Sequence, residues 1–129
     1  MDNMTWYELL IKPPFTPAAW VFAPAWIFLY LTIGISLVIF LKTGFSKSKI
    51  LPLIFFGLQL ALNFLWSPVF FGLKNIGAAL IIILLMLTSL YLTIFLFYKS
   101  SKASAYLLIP YFLWVCFATY LNIGFYLLN

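Results

Sequence analysis

Four apolar stretches, each long enough to cross a lipid bilayer, occupy most of this chain. They cover about residues 18–41, 51–71, 76–98 and 104–128. A helix needs about 20 residues to cross the hydrocarbon core of a bilayer. The composition agrees, because 67% of the residues are hydrophobic and only 7% are charged, whereas a soluble domain keeps roughly a quarter of its residues charged. We therefore predict an all-α membrane protein, with a single bundle of four transmembrane helices over residues 18–129.

The distribution of lysine predicts how this bundle lies in the membrane. The breaks at 42–49 and 99–102 share one side, because two spans separate them, and the opposite side carries only Lys12 and Lys74. Lysine is enriched in cytoplasmic loops, so the first side is predicted to be cytoplasmic. The N-terminal segment and the C-terminus then face outward, in a multi-pass protein of a bacterial inner membrane. The lysines on the cytoplasmic side are Lys42, Lys47, Lys49, Lys99 and Lys102.

Several kinds of chemistry are excluded by the residues that the chain lacks. It has no histidine, and its two acids, Asp2 and Glu8, both lie near the N-terminus. A metal site, a two-carboxylate hydrolase and ordinary acid–base catalysis are therefore not expected. The single cysteine, Cys116, lies in an apolar run and is interpreted as a packed, inert thiol. We expect no cofactor, no metal and no nucleic-acid partner, because the basic residues are scattered.

Polar side chains inside the second span suggest what the bundle encloses. Gln59 and Asn63 are four residues apart and therefore share one helix face. Amides cannot face lipid without losing hydrogen bonds, so this face is predicted to point into the bundle. Two interpretations stay open. The amides could bridge neighbouring helices, or they could line a small-molecule pocket with aromatic walls.

The aromatic residues form an ordered set across the chain that resembles the TspO/MBR family, also called translocator proteins or tryptophan-rich sensory proteins. The resemblance covers residues 6–128. The residues that carry it are Trp6, Tyr7, Leu10, Lys12, Pro13, Phe15, Pro17, Trp26, Leu29, Tyr30, Gln59, Leu60, Leu62, Asn63, Trp66, Phe70, Phe71, Gly72, Pro110, Tyr111, Trp114, Phe117, Ala118, Leu121 and Asn122.

This resemblance implies a five-helix membrane bundle, often dimeric, that binds porphyrins and other tetrapyrroles or similar hydrophobic molecules. It implies that residues 1–17 form a lid over the pocket, whereas composition alone leaves them as either a lid or a dispensable tail. Trp26 and Asn63 would donate hydrogen bonds to a ligand carbonyl. The pocket residues implied by the resemblance are Tyr7, Pro17, Phe22, Trp26, Asn63, Trp66, Trp114 and Ala118.

Three departures from the family pattern affect these expectations. Only five residues precede Trp6, where the family has a further helix, so we expect a natural four-helix variant, a truncated gene model or a fragment. Phe15 replaces the usual tryptophan of the lid motif. Tyr120 and Tyr126 have no basic residue after them, so cholesterol recognition through that pattern is not expected.

Three functions follow as alternatives. The first is binding of a tetrapyrrole or a similar hydrophobic small molecule, in sensing or transport. The second is light-dependent porphyrin degradation through oxidisable tryptophans, the only enzymatic chemistry that these residues would support. The third is a structural membrane protein that has lost ligand binding and only associates with other membrane proteins.

Overall fold

The chain forms a bundle of four helical membrane spans, in a computed structural model that describes residues 7–17, 19–44 and 46–129. Asp2, Trp6 and the predicted start of the first span at residue 18 lie outside the described residues. The four spans are long and apolar enough to cross a membrane. The prediction of an all-α membrane bundle is confirmed. The helices are α1 (Phe22–Lys42), α2 (Ile50–Ser67), α3 (Ile76–Ser100), α4 (Lys102–Leu107) and α5 (Ile109–Leu128), with α4 and α5 together forming the fourth span.

Helix α3 lies at the centre of the packing. It makes its most extensive contact with α2 and its next most extensive with α5. Helix α1 packs mainly against α4. It meets α2 through a side chain that reaches across, because the Tyr30 hydroxyl bonds to Asn63 and the Tyr30 ring lies 6.0 Å from that of Phe64. The space between α1, α2 and α5 is therefore bounded mainly by side chains and not by closely packed backbones.

The end of the bundle that carries Lys42, Lys47, Lys49, Lys99 and Lys102, here called the lysine end, is tightly packed. Ser36 on α1 and Ser104 on α4 are fully buried, and each hydroxyl donates to the other residue's carbonyl, at 2.7 and 2.6 Å. Phe40 stacks on Phe97 with ring centres 4.0 Å apart. Lys49 closes this end by donating hydrogen bonds to Thr43 and Gly44 at the C-terminus of α1.

Prolines mark two irregular points in the spans. Helix α2 ends at Ser67, and Pro68–Gly72 continues as a π-helical turn. The fourth span breaks at Leu108, and Pro110 lies in the first turn of α5. Proline has no N–H to donate, so a first turn is where it interrupts a helix least. Phe70 and Tyr111, which closely follow Pro68 and Pro110, are fully buried.

The N-terminal segment, residues 7–17, lies along the opposite end of α5. The backbone of Ile11 exchanges two hydrogen bonds with the Asn129 side chain, at 3.0 and 2.9 Å. Further along, Pro13 packs on Gly124, where an added Cβ would lie 2.5 Å from the proline ring. Only glycine allows this approach without a shift. Tyr120 then donates a 2.6 Å hydrogen bond to the carbonyl of Pro14.

Candidate ligand site

A chain of four polar side chains links three helices in the middle of the bundle. Tyr30 on α1 donates to Oδ1 of Asn63 on α2, at 2.6 Å. Nδ2 of Asn63 donates to the hydroxyl of Tyr111 on α5, at 2.7 Å. The Tyr111 hydroxyl in turn donates to Oε1 of Gln59, at 2.8 Å. The helical spacing of Gln59 and Asn63 thus places both amides against one tyrosine.

In this structure, these hydrogen bonds give Gln59 and Asn63 the first of their two predicted roles, which is to bridge neighbouring helices. Gln59 and Asn63 are buried, and Nε2 of Gln59 completes its bonding with the carbonyl of Phe56, at 2.9 Å. The two amides bridge helices, as buried amides in membranes commonly do. A ligand oxygen that accepted from Nδ2 of Asn63 would either use its second N–H or take the place of the Tyr111 hydroxyl.

Tryptophans surround one side of the polar chain. The Trp26 ring centre lies 5.5 Å from that of Tyr30 and 6.2 Å from that of Tyr111. Trp114 contacts Trp26 edge-on at 6.2 Å, and Phe22 contacts Trp114 at 5.9 Å. The hydrogen bonds among the described residues include none from the Trp26 indole. This N–H is therefore a donor that an incoming acceptor could use.

Trp66 lies on the other side, between the two hydrophobic clusters of the bundle. Its indole N–H donates to Oδ1 of Asn122 at 2.9 Å, and Nδ2 of Asn122 donates to the carbonyl of Ile76 at 3.2 Å. The ring stacks on Phe70 with centres 4.9 Å apart and meets Phe71 edge-on at 6.0 Å. Trp66 therefore links α2 to α5 through a hydrogen bond from its indole N–H.

Tyr7 enters the bundle from the N-terminal segment. Its side chain is only 4% exposed, and its ring lies 5.7 Å from Phe71 and 5.5 Å from Phe125. The hydroxyl is buried and has no hydrogen-bond partner among the described residues. Burial raises the pKa of this phenol above its usual value, so it stays protonated and able to donate. Lys12 lies over the ring, with Nζ 5.1 Å from its centre.

The residues that the resemblance implied fall into two groups. Trp26 and Trp114 lie beside the polar chain, of which Asn63 is a member, and Ala118 packs on the same core. Phe22 packs against the second cluster and contacts Trp114. Tyr7 belongs to the second cluster, and Trp66 touches both. Pro17 is half-buried at the end of the N-terminal segment.

Sequence reasoning left three residues out of the implied pocket that the polar chain contains, namely Gln59, Tyr30 and Tyr111. Each carried a signal. Tyr30 is four residues from Trp26, and Tyr111 is three from Trp114, so each pair shares a helix face. The missing information was that a single amide would meet both hydroxyls, which depends on the packing of three separate helices.

A groove of about 360 Å³ opens beside this site, on the surface between α1 and the fourth span. Trp114 belongs to both, because it lines the groove and also contacts Trp26. The other lining residues are Ala25, Phe28, Leu29, Pro110, Leu113 and Phe117.

Known proteins share this chain's sequence over nearly its full length. A tryptophan-rich protein TspO from Archaeoglobus fulgidus is 49% identical over 125 residues, which cover 97% of this chain and 80% of the relative. The translocator protein of Bos taurus is 39% identical over 123 residues, covering 94% and 73%. A tryptophan-rich sensory protein of Cereibacter sphaeroides is 34% identical over 117 residues, covering 91% and 72%. Residues 1–127 match the TspO/MBR family model, and the chain therefore belongs to the TspO/MBR family.

Proposed function

We propose that this protein binds tetrapyrroles such as porphyrins, or similar flat hydrophobic molecules, between α1, α2 and α5, and acts in sensing or transport. Membership of the TspO/MBR family supports this, and so do the names translocator protein and tryptophan-rich sensory protein that its relatives carry. The observation that carries the proposal is the chain from Tyr30 through Asn63 to Tyr111, enclosed by tryptophan rings.

A ligand oxygen could replace one hydrogen-bond partner among Tyr30, Asn63 and Tyr111. A carbonyl or carboxylate oxygen that accepts from Nδ2 of Asn63 takes the place of the Tyr111 hydroxyl. Tyr111 keeps its bond to Gln59, which it already donates to at 2.8 Å. The number of bonds is then unchanged, so the exchange has a small net cost. The indole N–H of Trp26, which donates to none of the described residues, adds one further bond to the ligand.

The aromatic rings supply the affinity for a flat ligand. Trp26 and Trp114 meet edge-on at 6.2 Å, in contact with Tyr111 and Phe22. A porphyrin ring inserted between them would exchange edge-on contacts for offset stacking, which is also a preferred arrangement of aromatic pairs. Entry would be through the groove beside Trp114 or past the N-terminal segment.

The N-terminal segment closes the site in this proposal. Tyr7 reaches from it into the bundle, and its buried hydroxyl, which has no hydrogen-bond partner among the described residues, offers a donor to the ligand. The segment and the C-terminus face outward in a bacterial inner membrane. Support for that orientation comes from the five lysines gathered at the other end, where positively charged residues mark the cytoplasmic side.

Titration with protoporphyrin tests the proposal. Protein in lipid nanodiscs is titrated while the porphyrin absorbance band is followed. Absorbance is used instead of tryptophan fluorescence, because Trp26→Phe removes one of the fluorescent side chains. Trp26→Phe keeps an aromatic ring and removes only the N–H, and Asn63→Leu removes the amide at nearly constant volume. Each is expected to weaken binding several-fold.

Thr88→Val is the matched control. Thr88 is exposed, and its hydroxyl bonds only within its own helix, to the carbonyl of Leu84 at 3.0 Å. Its affinity should equal that of the wild type. If Trp26→Phe and Asn63→Leu are folded by circular dichroism and gel filtration yet bind porphyrin as the wild type does, the site proposed between the helices is wrong.

A further inference from the structure

The turn between the third and fourth spans exposes aromatic rings together with lysines. Phe95 and Tyr98 lie in the last two turns of α3 and are 55% and 45% exposed. Lys99 shares their helix face, because residues three or four apart in a helix are neighbours. Tyr106 on α4 is 59% exposed, and its ring meets that of Tyr98 edge-on, with centres 6.1 Å apart. These four residues and Lys102 form one surface, here called the α3–α4 corner.

The two lysines of the corner hold their ammonium groups over its rings. Nζ of Lys99 lies 4.9 Å from the ring centre of Phe95, and Nζ of Lys102 lies 5.7 Å from that of Tyr98. Side chains of a helix lean toward its N-terminus, so Lys99 reaches back along α3 toward the membrane. Cation–π contacts at exposed sites are weak. The rings therefore orient the two ammonium groups without neutralising their charge.

The spans supply no counter-ion for these lysines. Asp2 and Glu8 are the only acids of the chain, so residues 9–129 contain none. Glu8 belongs to the N-terminal segment, at the other end of the bundle. The loops at 42–49 and 99–102 therefore carry five lysines and no acidic side chain. The negative charge that balances Lys99 and Lys102 comes from the surroundings.

The tyrosines of the corner add hydrogen-bond donors beside this charge. Among the described residues, none bonds to the hydroxyl of Tyr98 or of Tyr106. Tyrosine is enriched at the membrane interface, where its ring meets acyl chains and its hydroxyl meets headgroups. A phosphodiester complements the corner, because it carries a negative charge and oxygen atoms that accept from ammonium and phenol groups alike.

The other lysines of the lysine end lack this combination among the described residues. Lys49 is buried and donates to Thr43 and Gly44. Lys42 and Lys47 are exposed, and neither ammonium group lies over a described aromatic ring. They contribute to the general charge of this end, whereas Lys99 and Lys102 are held beside an apolar surface. Lys42 and Lys47 are therefore matched controls for the two lysines of the corner.

We propose that the α3–α4 corner binds an anionic phospholipid of the adjacent leaflet. The lipid phosphate lies between Lys99 and Lys102 and accepts from the tyrosine hydroxyls, and an acyl chain covers Phe95. Basic surfaces at the cytoplasmic ends of membrane helices attract such headgroups, and each lysine near the membrane surface adds to the attraction. A zwitterionic lipid binds less well, because its own cation already balances its phosphate.

The exposed rings favour a lipid over a free phosphate ion. Phe95 is apolar and lies under the ammonium group of Lys99, so a ligand that covers both needs an acyl chain joined to its phosphate. The corner also lies apart from the porphyrin site proposed between α1, α2 and α5. The inference therefore stands whether or not the protein binds porphyrin.

Native mass spectrometry of the detergent-solubilised protein tests the lipid preference. The protein is mixed with equal parts of phosphatidylglycerol, which is anionic, and phosphatidylcholine, which is zwitterionic, and the bound molecules of each are counted. Wild type is expected to retain phosphatidylglycerol in several-fold excess. The double variant Lys99→Gln, Lys102→Gln should lose most of this preference. The double variant Lys42→Gln, Lys47→Gln removes the same charge and should keep it. All four positions are exposed, so both variants should fold, which circular dichroism checks.

Three results would overturn the proposal. The first is equal retention of the two lipids by wild type. The second is an equal loss of preference in both double variants, which would assign it to the net charge of the lysine end. The third is loss of bound phosphatidylglycerol when inorganic phosphate competes, which would show that the site takes a free ion.

A further variant tests the tyrosine hydroxyls. Tyr98→Phe combined with Tyr106→Phe keeps both rings and all the charge, so the preference should weaken, but less than in the lysine variant of the corner. An unchanged preference would contradict the proposed bonds from the hydroxyls to the phosphate.

Discussion

The two halves of this bundle are held together by different kinds of contact. At the lysine end, Ser36 and Ser104 bond to each other's backbone and Phe40 stacks on Phe97. These contacts join the helices directly. In the other half, Tyr30, Asn63 and Tyr111 bond through side chains that a ligand could replace. This difference predicts that one half of the bundle stays fixed while the other half can exchange its contacts.

The largest expected effect is on the fixed half. Phe97 is fully buried and contacts the rings of Phe40, at 4.0 Å, and Phe56, at 5.7 Å. Phe97→Ala should lower the free energy of unfolding by about 3–5 kcal/mol, because it leaves a cavity. Thermal unfolding in nanodiscs measures this. The porphyrin affinity of the folded fraction should stay within about two-fold of wild type, and a tenfold loss would show that the halves are coupled.

Asn63→Leu should act mainly on ligand binding. It removes the amide shared by two tyrosines, so porphyrin affinity should fall about tenfold, which corresponds to about 1.4 kcal/mol. Stability should fall by about 1–2 kcal/mol, because Tyr30 loses its acceptor. Absorbance titration and thermal unfolding on the same sample compare the two effects. An effect on stability alone would assign Asn63 a purely structural role.

The serine pair should show coupled, modest effects. Ser36→Ala and Ser104→Ala should each cost about 1 kcal/mol, as interhelical hydrogen bonds in membranes do. The double mutant should cost less than the sum of the two, because each hydroxyl also lies 3.0 Å from the other. A double-mutant cycle by thermal unfolding measures this. Strict additivity would indicate that the two bonds form independently.

The smallest effect on stability is expected at Tyr7. Its hydroxyl is buried without a partner among the described residues, so Tyr7→Phe should leave stability unchanged or raise it by less than about 1 kcal/mol. Porphyrin binding should weaken about two- to threefold if the hydroxyl meets the ligand. Thermal unfolding and titration decide this together. A clear loss of stability would show that the hydroxyl has a partner in the membrane.

The sequence predicts the fold class well, because hydropathy over about 20 residues is a strong and local signal. It also predicts that Gln59 and Asn63 point inward, since an amide facing lipid would be unsatisfied. It does not predict that Ser36 meets Ser104, because single serines in an apolar helix carry no information about their partners. The short loops between spans favour antiparallel neighbours, yet α1 packs mainly against α4.

The sequence also does not predict the path of the N-terminal segment along α5. That path depends on Gly124, which Pro13 approaches closely, and on Asn129, which bonds to Ile11. Neither residue indicates its partner in the sequence. The two groups of site residues could be approached only through the family resemblance. Their division around Trp66 follows from tertiary packing, which no periodicity in the chain encodes.

The break at Leu108 has a mechanical consequence. Below it, α4 is clamped to α1 through Ser104, and above it, α5 carries Tyr111 and Trp114. Pro110 has no N–H, so a small tilt of α5 about this point breaks no hydrogen bond of that residue. We therefore expect α5 to tilt at Leu108 more easily than within a continuous helix, without displacing the lysine end.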